Sequence, residues 1–178
     1  MIKNIALISV FVMCSLTAFT QGNAVNAYDA EDNTYLMSPL PVKDGFVLTD
    51  NYANALYLIS DGKLEKLTTS PGCGRYISIS PDRNKIGFKF IDAKGMQAPA
   101  VYDLEKKEII KLHVPAEACG QPGFKADNNP YYTVGTTLYI TTEAGTDAVE
   151  LGVSNNITAV SPDGKEVIFS NTQSELVS

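Results

Sequence analysis

One short phrase occurs three times in this chain. Ser80-Pro81-Asp82-Arg83-Asn84-Lys85-Ile86-Gly87-Phe88 returns as Ser161-Pro162-Asp163-Gly164-Lys165-Glu166-Val167-Ile168-Phe169, and a worn copy lies between them at Phe124-Lys125-Ala126-Asp127-Asn128-Asn129-Pro130-Tyr131-Tyr132. Asp82, Asp127 and Asp163 follow one another at 45 and 36 positions. A second landmark keeps the same rhythm. Tyr57, Tyr102 and Tyr139 sit in Leu-Tyr or Val-Tyr pairs and step by 45 and 37 positions. Matching offsets in two landmarks make an accidental repeat implausible, and a period of this size constrains the fold more than composition does.

Each unit reads as two hairpins. Ile77-Ser78-Ile79-Ser80 alternates apolar and polar, as does Lys85-Ile86-Gly87-Phe88-Lys89-Phe90, and this period of two suits half-buried strands. Pro81 presets φ for a turn, and Asp82 can accept from nearby backbone N–H groups. Gly164 supplies a residue free to take positive φ. Arg83 and Asn128 stand in its place in the other copies, which leaves room for a different turn there. The second hairpin joins Leu56-Tyr57-Leu58-Ile59 to Leu64-Glu65-Lys66-Leu67, with equivalents at Val101–Leu112 and Leu138–Leu151. About 40 residues holding several short strands is the signature of a β-propeller blade. The prediction is an all-β fold: a partial β-propeller of about three to four four-stranded blades behind an N-terminal signal peptide.

The repeated residues resemble the WD40-like (PD40) repeat of the TolB family, which runs Ser-Pro-Asp-Gly-Lys, two apolar positions, then Phe. The resemblance covers about residues 42–169. The Ser161 copy matches in full, the Ser80 copy lacks the Gly, and the Asp127 copy keeps little beyond its Asp. Val42-Lys43-Asp44-Gly45-Phe46-Val47-Leu48 is a fourth, looser copy. The same repeat builds the propellers of prolyl-oligopeptidase-type peptidases. It specifies fold rather than function, because binding proteins and enzyme accessory domains both use it. Similarity to TolB implies cell-envelope partners but transfers no partner-binding residue.

The first 27 residues read as a signal peptide. Lys3 precedes the apolar run Ile5–Phe19, and small residues follow at Gly22, Ala24 and Ala27, the order a signal peptidase requires. The run is too short for a comfortable membrane span. Met13 before Cys14 is bulky where lipoprotein signals carry a small residue, which disfavours lipidation. The expected organisation is a signal peptide over 1–27, a polar lead-in over 28–40 and the partial propeller over 41–178, in an extracytoplasmic (periplasmic or secreted) location. Export bears on Cys73 and Cys119, 46 positions apart before matching strands. A disulfide tying adjacent blades is expected there, worth roughly 4 kcal/mol through the unfolded state.

Propellers close with about four to eight blades, whereas residues 28–178 hold roughly three and a half at about 40–45 residues each. Three accounts compete: a fragment of a longer protein missing C-terminal blades, a homodimer completing the ring, or a small open propeller. The fragment is preferred.

Candidate chemistry is sparse. The net charge is −6, and no basic face is available for nucleic acid. His113 is the one histidine, read as a surface or inter-blade residue. Gly152-Val153-Ser154-Asn155-Asn156 lacks the second Gly of a nucleophile elbow. No cysteine spacing makes a zinc site, and neither Asp29–Asp32 nor Asp127–Asn129 follows a calcium loop. No cofactor is expected. Arg75, Tyr76 and Gln121, beside the inner strands, are the candidate axial-face ligand contacts, with Arg75 suited to an anionic group. The expectation is a non-enzymatic TolB-like binding or scaffold protein, not an integral membrane protein, that offers axial-face loops to a protein or envelope ligand. The alternative is the N-terminal propeller of a prolyl-oligopeptidase-type serine peptidase whose catalytic domain is not on this chain.

Overall fold

In a computed structural model of the chain, residues 28–29, 33–152, 158–170 and 175–177 are described. The expected signal peptide lies outside them. Every described strand pairs antiparallel with its sequence neighbour, so the chain is a series of meanders. The first sheet runs β1 (Tyr28–Asp29), β2 (Thr34–Val42), β3 (Gly45–Asp50), β4 (Ala55–Ser60) and β5 (Lys63–Thr69). The second runs β6 (Ser78–Ile79), β7 (Lys85–Ile91), β8 (Gln97–Asp103) and β9 (Glu108–Lys111). The third runs β10 (Gly123–Phe124), β11 (Pro130–Val134), β12 (Thr137–Thr142) and β13 (Gly145–Glu150). The fourth holds β14 (Thr158–Val160), β15 (Val167–Ser170) and β16 (Leu176–Val177). The stretch 28–40, read from sequence as a lead-in, contains β1 and most of β2.

The repeated landmarks take equivalent places. With β2–β5 as the first unit and β1 an added edge strand, Asp44, Asp82, Asp127 and Asp163 each lie in the turn between the first two strands of a unit, and Tyr57, Tyr102 and Tyr139 each lie in its third strand. The first strands of the second and third units touch, and Ser78 Oγ donates to the Pro122 carbonyl between them. Gly87 is buried beside this contact, where a Cβ would run into Ser78, Pro122 and the Phe124 ring. Sheets that meet along their first strands are successive blades of part of a propeller.

Alternation puts one face of the first sheet and one of the second into a core between them. Val47 and Leu56 from the first sheet meet Ile86 and Phe88 from the second, all four at 0% exposure, with Ala100 and Tyr102 beside them. Burying each large side chain contributes about 1.5–3 kcal/mol. That burial, rather than propensity, orders strands as short as β6.

The aspartate turns hold their shape by side-chain capping. Ser80 Oγ donates to Asp82 Oδ1 (2.5 Å), the Asn84 N–H donates to the same oxygen (3.0 Å), and the Lys85 N–H donates to Ser80 Oγ (2.9 Å). The fourth unit repeats this with Ser161 and Asp163. The worn third copy keeps the turn through a substitution of chemistry: Lys125 stands in the serine position, buried, and its Nζ donates to Asp127 Oδ2 at 2.8 Å. The turns do not differ as Arg83 and Asn128 had left open. Arg83 (φ 62°), Asn128 (φ 65°) and Gly164 (φ 77°) all take the left-handed conformation.

The expected disulfide is corrected: Cys73 and Cys119 are free, buried thiols. The two loops dock in opposite directions. Gly74 N–H donates to Ala53 O in the first blade, whereas Cys119 bridges to Val134 and Gly120 N–H donates to Thr133 O in the third.

Candidate functional site

Meander topology sorts the connections onto two ends. Turns from first to second strand and from third to fourth strand share one end. Turns from second to third strand, and the loops between blades, share the other. The first end is polar and internally bonded. Lys43 N–H donates to Arg83 O (3.0 Å), Asp82 N–H to Asn128 Oδ1 (2.9 Å) and Ala126 N–H to Pro162 O (3.0 Å), so each aspartate turn is tied to the next. The carboxylates of Asp82, Asp127 and Asp163 are bonded within their own turns. The Lys125 ammonium holds Asp127 down to about 2. Burial raises Asp82 somewhat, but the Ser80 hydroxyl and Asn84 N–H outweigh it and leave Asp82 below its ordinary value. The Ser161 hydroxyl lowers Asp163 in the same way.

The loop end is different. Among the described residues, the exposed large hydrophobic side chains that lie outside strands are Tyr76 (78% exposed), Val114 (71%) and Tyr52 (53%), and all three lie on this end. A cleft of about 330 Å³ opens beside Tyr76. Its walls come from three places. Asn54 belongs to the β3–β4 turn; Pro71, Gly72, Cys73, Arg75 and Tyr76 to the loop from β5 to β6; Lys89, Ile91 and Gln97 to β7 and β8. The loop is pinned: Gly72 N–H donates to Asn54 Oδ1 (2.9 Å), Arg75 N–H donates to Gly72 O (3.1 Å), and Ser70 Oγ both donates to Ile91 O and accepts the Ile91 N–H. Gly72 takes a positive φ of 71° at the bend.

The lining holds two cations and no carboxylate. Neither Arg75 nor Lys89 forms an ion pair among the described residues. The Cys73 thiol in the wall is unreactive in character, since burial pushes it up to about 11. Burial likewise raises Cys119, against the nearby Lys89 charge. No group of three or more His, Cys, Asp or Glu side chains placed to hold a metal occurs among the described residues.

Of the sequence-derived candidates, Arg75 and Tyr76 share this cleft, while Gln121 lies in the next inter-blade loop, outside the lining. Lys89, Gln97 and Asn54 were missed. They come from strands and a turn distant in sequence, and only the alternation of β7 marks Lys89 as facing away from the Phe88 core. His113 packs at 5.1 Å from the Tyr139 ring and 6.4 Å from Tyr132, an inter-blade position.

No family model matches this chain, and no curated protein does. Solved structures do. TolB from Acinetobacter baumannii is similar over 81% of this chain and 40% of that one, at 17% identity and a TM-score of 0.56. A putative TolB from Agrobacterium tumefaciens is similar over 70% of this chain and 49% of that one, at 16% identity and 0.52. The β-propeller domain of the Trilobed protease from Pyrococcus furiosus, described as having an open velcro topology, is similar over 76% and 48%, at 18% identity and 0.51. The fold is that of a β-propeller. At these identities the likeness is one of fold alone, and the chain spans two fifths to one half of the length of those structures. No helix among the described residues of this propeller is long and apolar enough to cross a membrane.

Proposed function

We propose that this chain is a non-enzymatic, extracytoplasmic binding or scaffold propeller of the TolB-like kind, which presents its loop end to a protein partner. One observation carries this: the exposed hydrophobics outside strands, Tyr52, Tyr76 and Val114, all lie on one end of the blades, while the aspartate turns of the other end are bonded to one another. Exposed apolar groups that collect on one surface mark interaction sites. The aspartates act as structure in this scheme, not as acids or bases. The leader-like residues 1–27 and the likeness to TolB structures support an extracytoplasmic location.

The test is capture of envelope proteins by the immobilised propeller. A Tyr52→Ser, Tyr76→Ser, Val114→Ser variant loses the captured partner, and Lys106→Gln on the opposite end keeps it. Equal behaviour of the two variants, or retention by the loop-end variant, overturns the assignment. Sequencing the N-terminus of exported material tests cleavage after Ala24 or Ala27. The likeness to a protease propeller favours a second reading, an accessory domain of a serine peptidase. An open reading frame past codon 178 that encodes a Gly-x-Ser-x-Gly elbow is the observation that decides for it.

A further inference from the structure

We propose that the loop-end cleft beside Tyr76 binds the side-chain carboxylate of an acidic peptide segment. This rests on the loop-end assignment above and names what that end recognises.

The cleft is lined by donors. Arg75 and Lys89 bring positive charge with no carboxylate in the lining, in a chain whose net charge is −6. The two amides add to this. Asn54 Oδ1 accepts the Gly72 N–H at 2.9 Å, and Gln97 Oε1 lies 3.5 Å from the Cys119 nitrogen, so both amides are tied to neighbouring loops. A guanidinium and an ammonium with no carboxylate among the lining residues make a set that an anion satisfies and a neutral donor does not.

The groups are also placed before a ligand arrives. Lys89 is half-buried on β7, a strand hydrogen-bonded to β6 on one side and to β8 along its whole length on the other. A partly desolvated ammonium without a counter-ion gains more from an arriving carboxylate than a fully hydrated one does. Arg75 leaves a loop that Asn54 and Ser70 pin to the first and second blades, and its Cδ and Nε lie beside Gly72. A planar guanidinium matches a carboxylate with two parallel bonds.

Size and surroundings select the source of the anion. About 330 Å³ is at the small end of ligand pockets, which run to about 1,000 Å³. One side chain fits better than an oligosaccharide. Pro71 and Ile91 give apolar wall for a methylene stem. The surrounding loop end carries Tyr76 at the lip and Tyr52 and Val114 nearby, a surface suited to the flanking apolar residues of a peptide.

Fluorescence anisotropy with a fluorescein-labelled peptide holding two adjacent glutamates beside a leucine tests this. Its twin with glutamines is the control. The glutamate peptide binds, and the glutamine twin binds about tenfold more weakly or worse, as the loss of charged hydrogen bonds requires. Arg75→Gln and Lys89→Gln each remove that preference, and Arg75→Lys leaves part of it. Binding weakens as salt rises from about 50 to about 300 mM. Circular dichroism confirms that each variant is folded; Arg75 is exposed, so its replacement leaves the core intact.

Equal binding of the two peptides, no binding of the glutamate peptide, or tighter binding of trigalacturonate or a phosphoserine peptide overturns the carboxylate assignment. If the Tyr52, Tyr76 and Val114 variant still loses the captured partner in that case, the loop end stands as the binding surface and only its chemistry is wrong. If capture is also indifferent to those three residues, both assignments fall.

Discussion

Gly120 offers a sharp test of how the inter-blade loops are held. Its N–H donates to Thr133 O at 2.8 Å, and a Cβ built on it would overlap Thr133 Oγ1. The next neighbours of that Cβ are Thr133 Cβ at 3.4 Å and Thr133 N at 3.5 Å, both tolerable contacts. One oxygen atom therefore forbids alanine. Gly120→Ala is expected to cost about 2 kcal/mol, within the ~1–3 kcal/mol of overpacked cores. Thr133→Ala alone removes a buried hydroxyl and a methyl, for about 1–1.5 kcal/mol. In the double variant the conflict is gone, so its cost should match that of Thr133→Ala, a favourable coupling of about 2 kcal/mol. Thr133→Val, which keeps an atom in the offending position, should not rescue.

The equivalent pair in the first blade supplies an internal contrast. A Cβ on Gly74 would overlap Thr49 Oγ1 and also lie 2.6 Å from Thr49 Cβ. Thr49→Ala leaves that carbon in place and should fail to rescue Gly74→Ala. Urea unfolding followed by circular dichroism measures all of these, and a 2 kcal/mol loss corresponds to a drop in Tm of roughly 4–8 °C for a domain of this size. Additive costs for Gly120→Ala and Thr133→Ala, or equal rescue at both sites, would refute the account of these glycines as points of close approach.

Three further outcomes follow from the turns and thiols. Asp127 sits well below the usual carboxylate range because Lys125 donates to it; its stabilising contribution is present above about pH 4 and lost as pH falls through about 2. Half-exposure of Asp127 screens the pair to about 1 kcal/mol, so the gap in unfolding free energy between wild type and Asp127→Asn should shrink across that acid window, and a constant gap would contradict the pairing. Arg83→Gly should stabilise by about 0.5 kcal/mol, since relief of a left-handed arginine at ~1–2 kcal/mol exceeds the entropy gained by the unfolded glycine; thermal unfolding reads it, and destabilisation would mean that the arginine side chain is doing more than occupying the turn. Peptides holding Cys73 and Cys119 should label with iodoacetamide only after denaturation and without a reducing agent, because the thiols are buried and Cys73 is raised to about 11; failure to label in denaturant would reveal a disulfide.

Much of the scaffold is written in local order. The Ser-x-Asp phrases and the Tyr-bearing strands carry period-two alternation and turn chemistry, which neighbouring residues enforce on one another. Asp82, Asp127 and Asp163 accordingly fall in matching turns, whereas Asp44 lies in a tighter two-residue turn at the same place. The Lys125 copy looks degenerate by residue type; the buried ammonium takes over the donation to the aspartate that the serine makes elsewhere, though not the serine's acceptance of a backbone N–H, a substitution visible only once Asp127 lies 2.8 Å away. Alternation also told that Lys89 and Phe88 face opposite ways, but not what Lys89 would meet.

What neighbouring residues could settle by themselves was therefore the strand, the turn and the blade, because those depend on contacts a few positions apart. The direction in which each inter-blade loop docks was decided by packing between sheets. That docking sends Cys73 to the first blade and Cys119 to the third, leaves both thiols free, and assembles Arg75, Lys89, Asn54 and Gln97 around one cleft. Residues so far apart in the chain acquire a common chemistry only when burial of the blade faces brings their backbones together.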